Sequence, residues 1–108
     1  MEERQEDIII DAGVRQVRRW LADNGWTVSE EVGVNPTLRQ VEARKDDISI
    51  IVGIRSSIYP EDPGFPSPDE KRKLLSMART KKGVPKLVRV WLNEDLTLKD
   101  GNLMWSRV

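Results

Sequence analysis

Apolar positions in this chain change their spacing several times, and each change marks an element. Ile10, Val14, Val17 and Leu21 recur at helical spacing and form one stripe, which Trp20 widens. The spacing predicts a helix from about Asp7 to Asn24. Asn24-Gly25 supplies the stop, because glycine tolerates the left-handed conformation that closes helices. Trp26 to Val32 alternates and begins on an aromatic, so it reads as a strand, broken by Gly33 to Pro36. Thr37 to Ser57 then reads as two strands joined by a tight Asp46-Asp47 turn. With that turn, Lys45 faces Ile48, Ala43 faces Ile50, Val41 faces Val52 and Arg39 faces Ile54 on a mostly apolar face. Leu38, Gln40, Glu42 and Arg44 face Arg55, Gly53, Ile51 and Ser49 on the other.

Ile58 to Pro66 contains three prolines and a glycine and reads as a loop stiffened by fixed proline φ angles. Tyr59 and Phe65 in this loop either pack on the domain or stack on a ligand, and packing is the expectation. Ser67-Pro68-Asp69-Glu70 is a helix start: Ser67 caps, Pro68 takes the first helical position, and Glu70 completes a capping box. The helix should turn Leu74, Leu75 and Ala78 inward and end at Gly83, before Pro85. Lys86 to Leu92 is a strand, apolar on both faces and therefore interior. Leu96-Thr97-Leu98 and Leu103-Met104-Trp105 flank Asp100-Gly101 and predict a small terminal hairpin. The expected fold is α/β: a central mixed sheet flanked by helices, in the order α-β-β-β-α-β plus that hairpin, forming one domain over residues 1–108.

Composition narrows the chemistry. The chain has no cysteine and no histidine, which removes disulfides, the usual zinc sites and imidazole or thiolate catalysis. Any metal would need oxygen ligands. Lys plus Arg and Asp plus Glu both number 18, so a globally basic binder is excluded while a local basic patch is not. No apolar run is long enough to span a membrane. The acidic start, Met1 to Asp7, does not resemble a signal peptide, and the expected compartment is the cytoplasm.

Candidate site residues concentrate on the polar face of the hairpin, where Gln40, Glu42, Gly53 and Arg55 come together. Glu42 is the carboxylate of that face, expected to pair with Arg44 or Arg55. Arg15, Arg18 and Arg19 share a face of the first helix; they form either a solvated surface or phosphate contacts. Lys71 and Arg72 add cations on the second helix, and Lys81 and Lys82 at its end suit the helix dipole.

The element order and these residues resemble the restriction-endonuclease-like PD-(D/E)XK fold, closest to the archaeal Holliday-junction resolvases and small relatives. The resemblance covers about Val14 to Trp91. It rests on Leu21-Ala22-Asp23-Asn24-Gly25-Trp26, on Val52-Gly53-Ile54-Arg55-Ser56-Ser57, which is similar to V-E-V-K followed by two Ser or Thr, and on Lys73 to Ala78 with Gly83-Val84-Pro85. The resemblance implies an acid on the second strand and a Glu-x-Lys on the third, converging on Mg²⁺. Here those positions hold Gln40, Gly53 and Arg55, and Val14 or Gln16 stands where the resolvases place a glutamate. Gln40 is a neutral ligand, Gly53 has no side chain, and Arg55 stays charged.

The expected function is therefore a nuclease-fold domain without catalysis or cofactor, binding DNA or another nucleic acid. Arg15, Arg18, Arg19, Arg39, Arg44, Arg55, Lys71 and Arg72 are the pool for phosphate contacts, with Arg55 standing where the metal once sat. A second reading is an active Mg²⁺-dependent endonuclease with relocated carboxylates, Glu42 together with Asp11, Glu30 or Glu31. A third is a dimeric assembly module, since the family resolvases are dimers and the four tryptophans could line an interface or fill the core.

Overall fold

The computed structural model describes residues 5–31, 38–101 and 103–108. The expected break at Gly33 to Pro36 lies outside these residues, as do the acidic start before Gln5 and the side chain of Glu30. The elements are α1 (Gln5–Asp23), β1 (Thr27–Glu31), β2 (Arg39–Lys45), β3 (Ile48–Ile58), α2 (Pro68–Thr80), β4 (Val84–Leu92), a single 3₁₀ turn at Lys99–Gly101, and β5 (Met104–Ser106). They build one mixed five-stranded sheet in the order β1-β2-β3-β4-β5. β3 and β4 are parallel, joined through α2, and the other pairings are antiparallel.

The hairpin register is the one its alternation dictates: Lys45 faces Ile48, Val41 faces Val52 and Gln40 faces Gly53. That register assigns a helix to each face of the sheet. α1 lays Val14, Val17 and Leu21 on Val41, Ala43, Ile50, Val52, Ile54 and the Val88, Val90, Leu92 face of β4. α2 lays Leu74 and Ala78 on Leu38, Ile51 and Leu87. Each fully buried Leu or Ile side chain in these layers contributes about 2 kcal/mol of transfer free energy. Gly13 lets α1 approach β3 closely, since a Cβ there would lie 1.7 Å from Ser56 Oγ.

Three local expectations need correction. Leu75 is exposed, because Glu70, Leu74 and Ala78, four residues apart, already form the buried stripe and Leu75 is rotated about 100° away from it. The left-handed residue after α2 is Lys82, at φ 55°, rather than Gly83. Gly83 is held against the sheet instead, where a Cβ would lie 3.2 Å from Ile51 Cγ1 and 3.3 Å from Ser49 Oγ. The terminal hairpin does not form. Asp100 and Gly101, at φ 57° and 70°, carry the chain back so that β5 pairs with β4, Val88 opposite Trp105, while Leu98 makes an isolated bridge to Leu92. The open edge of β4 offers a longer row of backbone partners than the short Leu96 to Leu98 segment does.

Candidate functional site

α2 covers the polar face of the hairpin. Gln40 is buried, and the space beside Gly53 is filled: a Cβ there would lie 3.0 Å from Leu74 Cδ2 and 3.2 Å from Leu38 Cδ2. Gln40 Oε1 is enclosed without a hydrogen-bond partner. Glu42 pairs with neither Arg44 nor Arg55, contrary to expectation; its Oε2 accepts from Ser49 Oγ at 3.3 Å. For Arg55 the reason is distance, because Glu42 faces Ile51, and Arg55 lies four residues further along β3, roughly 13 Å of extended strand.

Arg55 instead joins three segments. Its Nε donates to Pro63 O at 2.8 Å, and its Nη1 donates to both carboxylate oxygens of Glu70 at 3.2 and 3.3 Å. Glu70 also completes the expected capping box: its Oε1 accepts from Ser67 N at 2.8 Å, and Ser67 Oγ accepts from Glu70 N at 3.1 Å. The same carboxylate thus starts α2 and holds the cation of β3. Sequence spacing identifies the cap but carries no signal for the second partner, fifteen residues away. Arg89 stands beside Arg55 on β4 and lies 4.1 Å from the Phe65 ring centroid and 5.0 Å from that of Trp91. Lys99 lies 4.7 Å from the Tyr59 ring centroid. Tyr59 and Phe65 therefore pack on the domain as expected, through cations rather than by burial, since both stay more than half exposed.

The remaining described carboxylates do not assemble a cation site. Asp11 and Glu31 converge on Arg39, whose Nη1 lies 2.8 Å from Asp11 Oδ1 and whose Nε and Nη2 donate to Glu31. The hydrogen bonds that Arg39 donates to Glu31 and then to Asp11 push its pKa above its ordinary value, so the point these acids share is held by a permanent cation. Arg39 is on the α1 face and Glu42 on the α2 face of the same strand, so Glu42 cannot join them. Among the described residues no three acids could hold a metal ion. Mg²⁺ does not fit the polar face of the hairpin either, where a buried amide, a leucine-filled gap and a guanidinium stand.

The cations of the candidate pool divide between the two sides of the sheet. Arg15 and Arg19 are exposed on α1, while Arg18 donates to Ser29 O at 3.0 Å. On the α2 side, Lys71 is exposed, Arg72 lies 3.7 Å from Asp69, and Arg44 is exposed at the opposite end of the hairpin from Arg55. Arg44 has company, which includes the Lys81 and Lys82 that suit the helix dipole. Gly83 packs on Ser49, the residue facing Arg44, so Arg79, Lys81 and Lys82 at the end of α2 sit at the same end of the sheet. All four are exposed and, among the described residues, make no ion pair. Asp46 and Asp47 in the turn, and Asp23 at the end of α1, offset part of this charge. At the other end of the strands, Glu6, Glu61 and Glu94 gather around a cleft with Ile58 and Leu96. Zero net charge thus conceals a separation along the strands.

Three tryptophans stand at the cation-bearing end. Trp20, Trp26 and Trp105 line a cleft of about 360 Å³ with Ile48, Val84 and Lys86. Trp20 is partly exposed and Trp26 and Trp105 half-buried, so these indoles are neither wholly core nor wholly surface; Trp91 lies apart, against Arg89. No described helix is long and apolar enough to cross a membrane. No protein-family model matches the chain, and no curated protein is significantly similar to it in sequence.

Proposed function

We propose that this chain is a restriction-endonuclease-like domain that has lost metal chemistry and binds nucleic acid through its phosphates, at the end of the sheet where β3 and β4 begin. The observation that carries this reading is the charge separation. Arg44, Arg79, Lys81 and Lys82 are exposed at that end and make no ion pair among the described residues, and glutamates gather at the other. A strand of phosphates approaching such a molecule is attracted to one end and repelled from the other. Arg55, the cation first expected to replace the metal, is committed to Glu70 and Pro63, so the proposed phosphate contacts lie on the outer end of α2 and the hairpin. Contacts of this kind position a backbone without reading bases, so binding should be modest, indifferent to sequence and sensitive to salt.

The test is fluorescence anisotropy with labelled DNA at low salt, with Mg²⁺ or Mn²⁺ added and the DNA run afterwards on a denaturing gel. The expected result is binding with the DNA intact at every protein concentration. Absence of binding refutes the reading. Metal-dependent cleavage that disappears in Glu42→Ala refutes the loss of chemistry and restores the relocated-carboxylate reading.

A further inference from the structure

The cleft between Trp20, Trp26 and Trp105 lies beside the proposed phosphate contacts, and its lining has an unusual composition. Exposed large apolar side chains gather there: Trp20 at 37%, Ile48 at 55% and Val84 at 48%. Exposed apolar side chains gathered in one cleft are a feature of binding surfaces. The charge in its lining is positive, with Asp47 next to Ile48 in the chain. Among the described residues no carboxylate lines the cleft, Lys86 lines it directly, and Lys45 stands 5.9 Å from the centroid of the Trp26 ring with its Nζ donating to Asn24 O. Lys82 precedes Val84 by two residues. The size, about 360 Å³, is near the small end of ligand pockets and suits one ring system with its sugar better than the side-chain row of a docked helix.

From this we infer that the cleft takes an unpaired nucleobase of a single strand, whose flanking phosphates lie towards Lys86 and Lys45. This rests on the nucleic-acid reading above and adds a substrate class to it. Trp20 and Trp105 are 5.1 Å apart between centroids and tilted by 48°. A ring inserted between two indoles needs about 7 Å, twice a carbon contact distance, so the base does not enter between them. It stacks on Trp20, the most exposed of the three indoles, with Ile48 and Val84 against its edge. Stacking on an indole accepts any base, in keeping with backbone-directed binding, and it discriminates against duplex, whose bases are already stacked.

The experiment compares oligothymidylate with a duplex of equal length, using the whole chain and the variants Trp20→Ala and Trp20→Phe, each checked for folding by circular dichroism. Wild type should bind the single strand about tenfold more tightly than duplex, the size of one lost stacking partner. Trp20→Ala should lose about that factor on the single strand alone, and Trp20→Phe should retain most of it. A folded Trp20→Ala with unchanged single-strand affinity overturns the inference. So does equal affinity of wild type for both DNAs, a result that leaves phosphate binding standing. If neither DNA binds, the nucleic-acid reading falls as well. Thymidine monophosphate saturating the protein at concentrations where oligothymidylate does not bind overturns the strand as occupant.

Discussion

Replacing Glu70 with alanine removes two functions at once, and the loss can be worked out from its partners. The capping box loses the acceptor for Ser67 N, a loss of about 1 kcal/mol by analogy with other helix caps. Arg55 loses both carboxylate contacts while keeping Pro63 O. Hydrogen bonds to charged groups contribute roughly 1.5–3 kcal/mol when buried. Arg55 is 27% exposed and Glu70 11%, so water screens part of this and the lower half of the range applies. The expected destabilisation is about 2–3 kcal/mol, equivalent to a fall in melting temperature of roughly 10–15 °C for a domain of this size. Urea unfolding monitored by tryptophan fluorescence measures it directly. Ser67→Ala removes only the hydroxyl side of the box and should cost about 1 kcal/mol. The double-mutant cycle of Glu70→Ala with Arg55→Met should show a coupling of about 1 kcal/mol or more. If Glu70→Ala costs no more than Ser67→Ala and the coupling is within about 0.3 kcal/mol of zero, the carboxylate acts only as a cap, and the junction of β3, the proline loop and α2 is not held as described.

Other predictions follow from the packing and the site. Gly13→Ala forces a Cβ into Ser56 Oγ and should destabilise by about 2 kcal/mol or more, and adding Ser56→Gly should recover part of that loss in the same urea assay. Gly53→Glu, which restores the acid that the family resemblance implies, presses a carboxylate between Leu38 and Leu74; thermal melts should show a strongly destabilised protein, and millimolar Mg²⁺ should not rescue it. Millimolar Mg²⁺ should likewise leave the wild-type melting temperature unchanged, because a specific site would raise it by mass action. The Thr97 hydroxyl and then the Thr97 N–H hold the Asp95 carboxyl below its ordinary range. The small stabilisation this gives the turn after β4 is present above the ordinary carboxylate pKa and lost as pH falls through the lowered one; an NMR titration of Asp95 with and without Thr97→Val checks it.

The strand pattern was legible because alternation leaves little freedom. Val41, Ala43, Ile50 and Val52 must share a face, and that alone sets the Asp46-Asp47 turn and every pair of the hairpin. The start of α2 was legible because a capping box is local. Contacts between segments distant in sequence were not. Nothing near Arg55 announces Glu70 or Pro63, and Arg39 gives no sign that it draws Asp11 and Glu31 to one point. The C-terminal turn misled for a related reason: Asp100-Gly101 correctly marks a reversal, but which edge the returning strand joins depends on where β4 is open. The cations at the end of α2 are explained locally by the helix dipole, and their grouping with Arg44 appears only once Gly83 is seated on Ser49.

The central claim is that the end of the sheet carrying Arg44, Arg79, Lys81 and Lys82 is the phosphate-binding surface. The measurement that tests it most directly is the salt dependence of DNA affinity, for wild type and for the triple variant Arg79→Ala, Lys81→Ala, Lys82→Ala. Each lost phosphate contact lowers the slope of log affinity against log salt by about 0.7–0.9. The account predicts weaker binding to any DNA sequence and a slope reduced by roughly two, in a protein that stays folded and loses in urea unfolding only the helix-dipole contribution, about 0.3–1 kcal/mol per cation. A folded triple variant with wild-type affinity and slope would contradict it and place the interaction surface elsewhere.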